Sequence, residues 1–282
     1  MKKVIPSFIL ACTVLASSTA YAATNNSIEI NGTAVASDVK PEVKDNRTMV
    51  PLRVISENLG AKVAWTKTEV TLTKNNMKVI LKPNSTTAVK NGTAVQLDVK
   101  PYVVDNRIIV PLRFIAETFG CTVNYSNSTV TVESAPLVIN GVQVNALQQE
   151  YHMTMGGIVQ QVNGNAYNEA IYTSFETNKG AKVDAPANYS WSPNYDIPGS
   201  YLKTAQYDFL DKNGKSVKSY EIYTLLQPTT DDAGKSVRTV LLYDVTGAQW
   251  YSFSDSARQA IDQLMVTADK NGFLKVISNT IV

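Results

Sequence analysis

Histidine is all but missing from this chain: among 282 residues there is one, His152, and there are only two cysteines, Cys12 and Cys121. One imidazole cannot build a site that needs two or three, and no CxxC, HxH or HExxH spacing occurs. Zinc and copper centres of the usual kind are therefore excluded, and no metal or cofactor is expected. A serine or cysteine nucleophile activated by imidazole would have to use His152 within EYHMTM, with no GxSxG or papain-like pattern beside it. His152 therefore reads as an ordinary surface or core residue. Net charge is also scarce. The 26 basic side chains include Lys2 and Lys3, and without these two the remaining 24 balance the 24 acids. That balance gives no electrostatic footprint for a nucleic acid or an anionic membrane. Beyond the first twenty or so residues, no stretch approaches the roughly 18 apolar residues needed to cross a bilayer.

The beginning of the chain is the exception. Lys2 and Lys3 precede an apolar run from Val4 to about Ala16, followed by small residues ending Ala20-Tyr21-Ala22. This is the pattern of a secretory signal peptide, residues 1–22, cut after Ala22. Ile9-Leu10-Ala11-Cys12 offers a rival lipoprotein reading with Cys12 as the lipidated terminus, but the apolar run continues past it to the better cleavage site. The mature protein is expected to be extracellular or associated with the cell wall. Cleavage would leave Cys121 alone, so no intramolecular disulfide would form, and about 260 residues suffice for two domains held by their cores.

What the chain has in abundance is repetition. DNRTMVPLR at 45–53 recurs as DNRIIVPLR at 105–113, DVKP at 38–41 recurs at 98–101, and NGTAV at 31–35 recurs at 91–95. An internal duplication with a period of sixty fixes the first half as two units, about 28–73 and 87–133, within a domain spanning 23–135. In each unit an Asn-Gly hairpin leads to a proline-marked segment. A DNR turn and a short buried strand follow. Pro51 and Pro111 fit the first helical position. Leu52, Ile55 and Leu59, like Leu112, Ile115 and Phe119, step by three and four along a short amphipathic helix. Gly60 and Gly120 end it, and two strands follow. Each unit is expected to be a short helix packed on an antiparallel sheet. Cys121 takes the place of Ala61 and so reads as a small core residue. Asp45, Arg47 and Arg53 could form a duplicated ligand site, but turn geometry and Arg53–Glu57 pairing along the helix account for the same residues.

The pattern of DNR, aliphatics, VPLR, an apolar helix and LGAKVAW closely resembles the copper amine oxidase-like N-terminal, or stalk, domain, which recurs in exported proteins of Gram-positive bacteria. The resemblance covers about residues 27–133 and occurs twice. It implies a scaffold of sheet and helix lying apart from any catalytic body. The oxidases of that name hold copper with three histidines and make a quinone from the tyrosine of an Asn-Tyr-Asp/Glu motif. Asn194-Tyr195-Asp196 matches the tripeptide, but Ile197 and Trp191 depart from its surroundings, and one histidine cannot supply the copper site. Oxidase activity is not expected.

The second half, 136–282, has no repeat of this kind and holds eleven of the fourteen tyrosines. VINGVQV at 138–144 reads as another Asn-Gly hairpin. TAQYDFLD with SVKSYEIYTLL, and VRTVLLYDV with QWYSF, read as two larger ones. Helices are expected over 165–177 and from Ser254 or Asp255 to Gly272, before a last strand, FLKVISN. The whole is thus α+β: two tandem stalk units, then an α+β domain with an antiparallel sheet and one or two helices. Asp211-Lys-Asn-Gly214 and Asp269-Lys-Asn-Gly272 imitate calcium loops but place the glycine two positions early, and read as turns. One segment suggests recognition. In ANYSWSPNYDIPGSY, 187–201, prolines and a glycine forbid a regular element while Tyr189, Trp191, Tyr195 and Tyr201 offer flat apolar faces. The alternative is that the loop folds back and buries these rings on the sheet. The sequence therefore suggests a non-enzymatic exported protein whose stalk presents a binding domain to cell-wall glycan or an extracellular protein. A carboxylate-based glycan hydrolase and an exported regulator or inhibitor remain the competing readings.

Overall fold

A computed structural model describes residues 27–281 apart from 127–128, 154–155, 228, 231–233 and 235. The signal-peptide and lipobox readings lie outside the described residues. Among the described residues sheet dominates, with four helices: α1 Leu52–Asn58, α2 Leu112–Thr118, α3 Asn165–Asn178 and α4 Asp255–Lys270.

In the first domain the two sequence copies do not fold as separate units. Strand Lys62–Trp65 and strand Val70–Lys74 of the first copy continue through Met77–Leu81 into the second copy's hairpin, Thr87–Lys90 and Thr93–Gln96, as one five-stranded sheet. Reciprocally, the first copy's strand Ser27–Ile30 pairs in parallel with the second copy's Thr129–Glu133. A third sheet joins the copies through Arg47–Pro51 and Arg107–Pro111, in which Val50 faces Val110 while Met49 faces Pro111 and Ile109 faces Pro51. That register is symmetric under exchange of the copies, so a local two-fold axis passes through the Val50–Val110 pair. The expectation of one self-contained sheet per unit is corrected. Each hairpin completes the other copy's sheet, and in this arrangement Ile28, Ile30 and Ala88 are buried.

The repeated motif now has a structural account. Asp45 and Asn46, and likewise Asp105 and Asn106, take positive φ values of 46 to 60° and form the tight two-residue turn between strands. Arg47 then reaches Asp98 and Arg107 reaches Asp38, so each DNR arginine holds the other copy's DVKP aspartate. Pro51 and Pro111 are the last strand residues rather than the first helical ones: at φ −61° and ψ 119°, Pro51 is extended and the helix starts at Leu52. Burial of Leu52, Ile55 and Leu59 gives α1 its inner face. At about 1.5–3 kcal/mol per fully buried side chain, these three residues stabilise a helix too short to form alone. Gly60 and Gly120 adopt the left-handed conformation past the helix ends, at φ +84° and +74°.

The second domain is built on a nine-stranded sheet. Its main path runs Lys182–Val183, Gln249–Phe253, Val240–Asp244, Ser216–Leu225, Tyr201–Leu210, Ala146–Met153, Gly156–Val162 and Leu274–Asn279, with short Tyr189–Ser190 lying parallel beside Tyr201–Leu210. Helices α3 and α4 cover one face. Phe175 of α3 meets Tyr207, Tyr220 and Phe253, and Tyr172 meets Phe209. Ser254 caps α4 by accepting a hydrogen bond from the Ala257 amide. The pair Ala146–Met153 and Gly156–Val162 carries no apolar alternation to betray it in sequence. Glutamines take those positions and pair across the strands: the Gln160 amide donates to Gln149, which donates to the buried Tyr207 hydroxyl, and Gln161 donates to Gln148.

The two domains share one continuous apolar cluster. At their junction the Asn58 carbonyl oxygen, 3% exposed, accepts from both the Tyr167 hydroxyl and the Asn271 amide at 3.0 Å, and Asn271 also donates to Tyr167. The second domain is thus seated on the end of α1.

Candidate binding site

The sheet face away from the helices is where the aromatic loop lies. Register sets its composition. Glu221 stands opposite Gln206 and Tyr243, Tyr223 opposite Lys203 and Leu241, and Tyr243 opposite Trp250. A bulge between Lys203 and Ala205 inserts one extra residue, which turns Lys203 from the helix side, where Ala205 and Tyr207 point, to the face of Gln206 and Glu221. A buried ammonium results, 7% exposed. It is held by Glu221 and by the Gln206 carbonyl oxygen at 2.8 Å. The second Glu221 oxygen accepts from the Tyr223 hydroxyl at 2.6 Å. Burial, and then that acceptor carboxylate, push the Tyr223 phenol well above its usual range.

Two loop residues dock onto this array. Trp191 stacks on His152 with ring centres 4.2 Å apart and planes 20° apart, and the Lys203 ammonium lies 4.4 Å from the indole centre. His152 is itself tethered, its Nε2 2.7 Å from the Glu150 carboxylate. Tyr189 sits edge-on to both Tyr223 and Trp250 at 5.5 and 5.0 Å, and Trp250 stacks on Tyr243 at 4.7 Å. Such pairs contribute about 0.5–1.5 kcal/mol each beyond the area they bury, which fixes the loop although it has almost no regular structure.

Of the four residues proposed from sequence, the structure brings Tyr189 and Tyr201 to one pocket of about 230 Å³, where they face each other in strand register. Burial raises the Tyr201 phenol. Trp191 belongs to the neighbouring His152 and Lys203 cluster, and half of the Tyr189 surface remains open. Tyr195 is apart from both: it is 66% exposed, and only its backbone carbonyl is engaged, by Gln227. Sequence reasoning missed Lys203, Glu221, Tyr223, Tyr243 and Trp250. The alternation in SYEIYTLL marks Glu221 and Tyr223 as neighbours on one face, but nothing local says which face the helices leave open. His152, read as an ordinary histidine, is the platform beneath Trp191.

Three acids of the sheet face are engaged: Glu150 with His152, Glu221 with Lys203 and Tyr223, Asp208 with Gln206 and Ser216. Among the described residues no three His, Cys, Asp or Glu side chains converge on a point that could hold a metal. The sole imidazole, between carboxylate and indole, does not fit a three-histidine copper centre. The remaining buried charges are structural: Asp244 accepts from Lys218 and Lys179, and Lys179 also reaches Glu176.

Residues 29–134 match the family model for the copper amine oxidase N-terminal domain. No curated protein and no solved structure matches the chain. The segment similar to the copper amine oxidase N-terminal domain thus coincides with the intertwined sheets of the first half, and the open, aromatic sheet face lies beyond it.

Proposed function

We propose that this is a non-enzymatic exported protein in which the copper amine oxidase N-terminal domain is the stalk and the second domain binds glycan of the cell wall through the open face of its sheet. The carrying observation is the assembly of loop and sheet rings, Tyr189 with Tyr223, Tyr243 and Trp250, beside the Trp191, His152 and Lys203 stack. Flat rings flanked by amides and hydroxyls suit sugars, which present apolar ring faces and hydroxyl edges. Glu150 and Glu221 on this face are tied into ion pairs and hydrogen bonds, which favours binding over carboxylate hydrolysis. The closure of the first half's repeated charges on each other rather than on a ligand supports its scaffold reading.

Sedimentation of the mature protein with purified Gram-positive cell walls tests this. Retention is expected for the wild type and loss for Trp191→Ala combined with Tyr189→Ala. A protein partner would instead show as wall-independent capture by an extracellular protein. Turnover of wall polysaccharide by the purified protein would overturn the non-enzymatic reading. N-terminal sequencing of exported material checks cleavage after Ala22.

A further inference from the structure

The pocket beneath the loop has a lining that specifies more than an aromatic surface. Tyr189, Tyr201, Asn188, Asn194, Ser192 and Ser200 are among the residues that line it, and no charged residue does. Ser200 is 4% exposed, and its hydroxyl is buried with no hydrogen-bond partner. Its backbone is fully used, the amide donating to Ile197 and the carbonyl accepting from Leu226, so only the side chain is idle. Leaving a hydroxyl buried and unpaired costs about 1–3 kcal/mol, a cost that a hydrogen bond to a ligand hydroxyl would remove. Asn194 uses its carbonyl oxygen to accept from the Asp196 amide at 3.2 Å, which points its donor group elsewhere. The Tyr189 ring plane is set by its edge-on contacts with Tyr223 and Trp250, and half of that residue stays accessible.

Resting on the glycan-binding reading above, we propose that this pocket is a subsite for one neutral pyranose unit, with Tyr189 and Tyr201 against its ring and Ser200 and Asn194 bonded to its hydroxyls. Several hydroxyls and amides, two rings and no net charge match a neutral sugar. They do not match a uronic acid, a phosphate or a peptide terminus, each of which would leave a charge without a partner in a partly desolvated pocket. Lys203 and Glu221, close by on the sheet, neutralise each other and offer no free charge to compensate.

Saturation-transfer NMR of the full mature chain with glucose, N-acetylglucosamine and glucuronate tests the subsite. Transfer to at least one neutral sugar is expected, with little or none to glucuronate. Affinity should fall roughly tenfold in Ser200→Ala, equivalent to about 1.4 kcal/mol, and further in Tyr189→Ala. Asn194→Ala serves as a second variant should Ser200→Ala unfold, with circular dichroism as the check. No transfer to either neutral sugar, preference for glucuronate, or binding indifferent to all three substitutions would overturn the subsite. Wall sedimentation separates the two readings: walls retained without sugar binding would sink the pocket alone, whereas sugar binding without wall retention would sink the wall assignment and leave the pocket.

Discussion

The Arg47 guanidinium closes on the Asp98 carboxylate at 2.6 Å, and its counterpart sixty residues on, Arg107, closes on Asp38 at 2.7 Å. The two bridges are one interaction used twice across the local two-fold axis, and they explain why the DNR and DVKP motifs recur together.

Both bridges are nonetheless well exposed, with Arg47 at 35% and Asp98 at 64% side-chain exposure. A double-mutant cycle of Arg47→Ala and Asp98→Ala in urea denaturation should give a coupling below about 1 kcal/mol, and smaller still in high salt. A coupling several times larger would mean that the bridges hold the copies together rather than fix their register.

The junction is different because Asn58 is buried with two donors on one oxygen. Asn58→Ala removes the acceptor of the Tyr167 hydroxyl and of one Asn271 amide hydrogen, leaving only the Asn271–Tyr167 bond, and should destabilise by about 1–3 kcal/mol. The expected readout is a split of the single unfolding transition into two, with faster proteolysis around 135–146. A single transition shifted as a whole would show that the shared apolar cluster couples the domains without this triad.

Asp244 answers two lysines in a site where its side chain is 6% exposed. Despite burial, which acts to raise it, hydrogen bonds from Lys218, the Gly247 amide and Lys179 hold its carboxyl below the usual range, and Lys179 and Tyr220 do the same for Glu176. A carboxyl depressed in the folded state stabilises fully above its unfolded value of about 4 and loses that contribution as pH falls through the folded value. Urea midpoints should therefore be flat near neutrality and drop below about pH 4. Asp244→Asn, which leaves the ammonium groups of Lys179 and Lys218 without their shared carboxylate, should cost about 3–5 kcal/mol at pH 7 and flatten the acid slope.

Cys121 is buried, and burial raises its thiol. Since the thiolate is the reactive form, iodoacetamide should leave the native protein unlabelled and modify it fully in urea. Ala61 occupies the equivalent site at 4% exposure, so Cys121→Ala should cost no more than about 1 kcal/mol. Rapid native labelling would contradict the burial.

The sequence by itself determined much that depends on neighbours in the chain: the sixty-residue repeat, the DNR turns at 45–47 and 105–107, the short helices ending at Gly60 and Gly120, the capped helix after Ser254, and the aromatic loop. These follow from periodicity and local backbone sterics, which a single strand of text contains. Only the tertiary structure decided which strands pair. It sent each hairpin to the other copy's sheet, paired strands Ala146–Met153 and Gly156–Val162 through glutamines that bond across the ladder, and turned Lys203 to the open face by a single bulge. Pairing energy comes from contacts between residues distant in sequence, and polar side chains that satisfy one another leave no apolar pattern. The grouping of Tyr189 with Tyr201, of Trp191 with His152, and the isolation of Tyr195 follow from the same cause. Proline and glycine kept that loop irregular, but the sheet face beneath it chose which rings it holds.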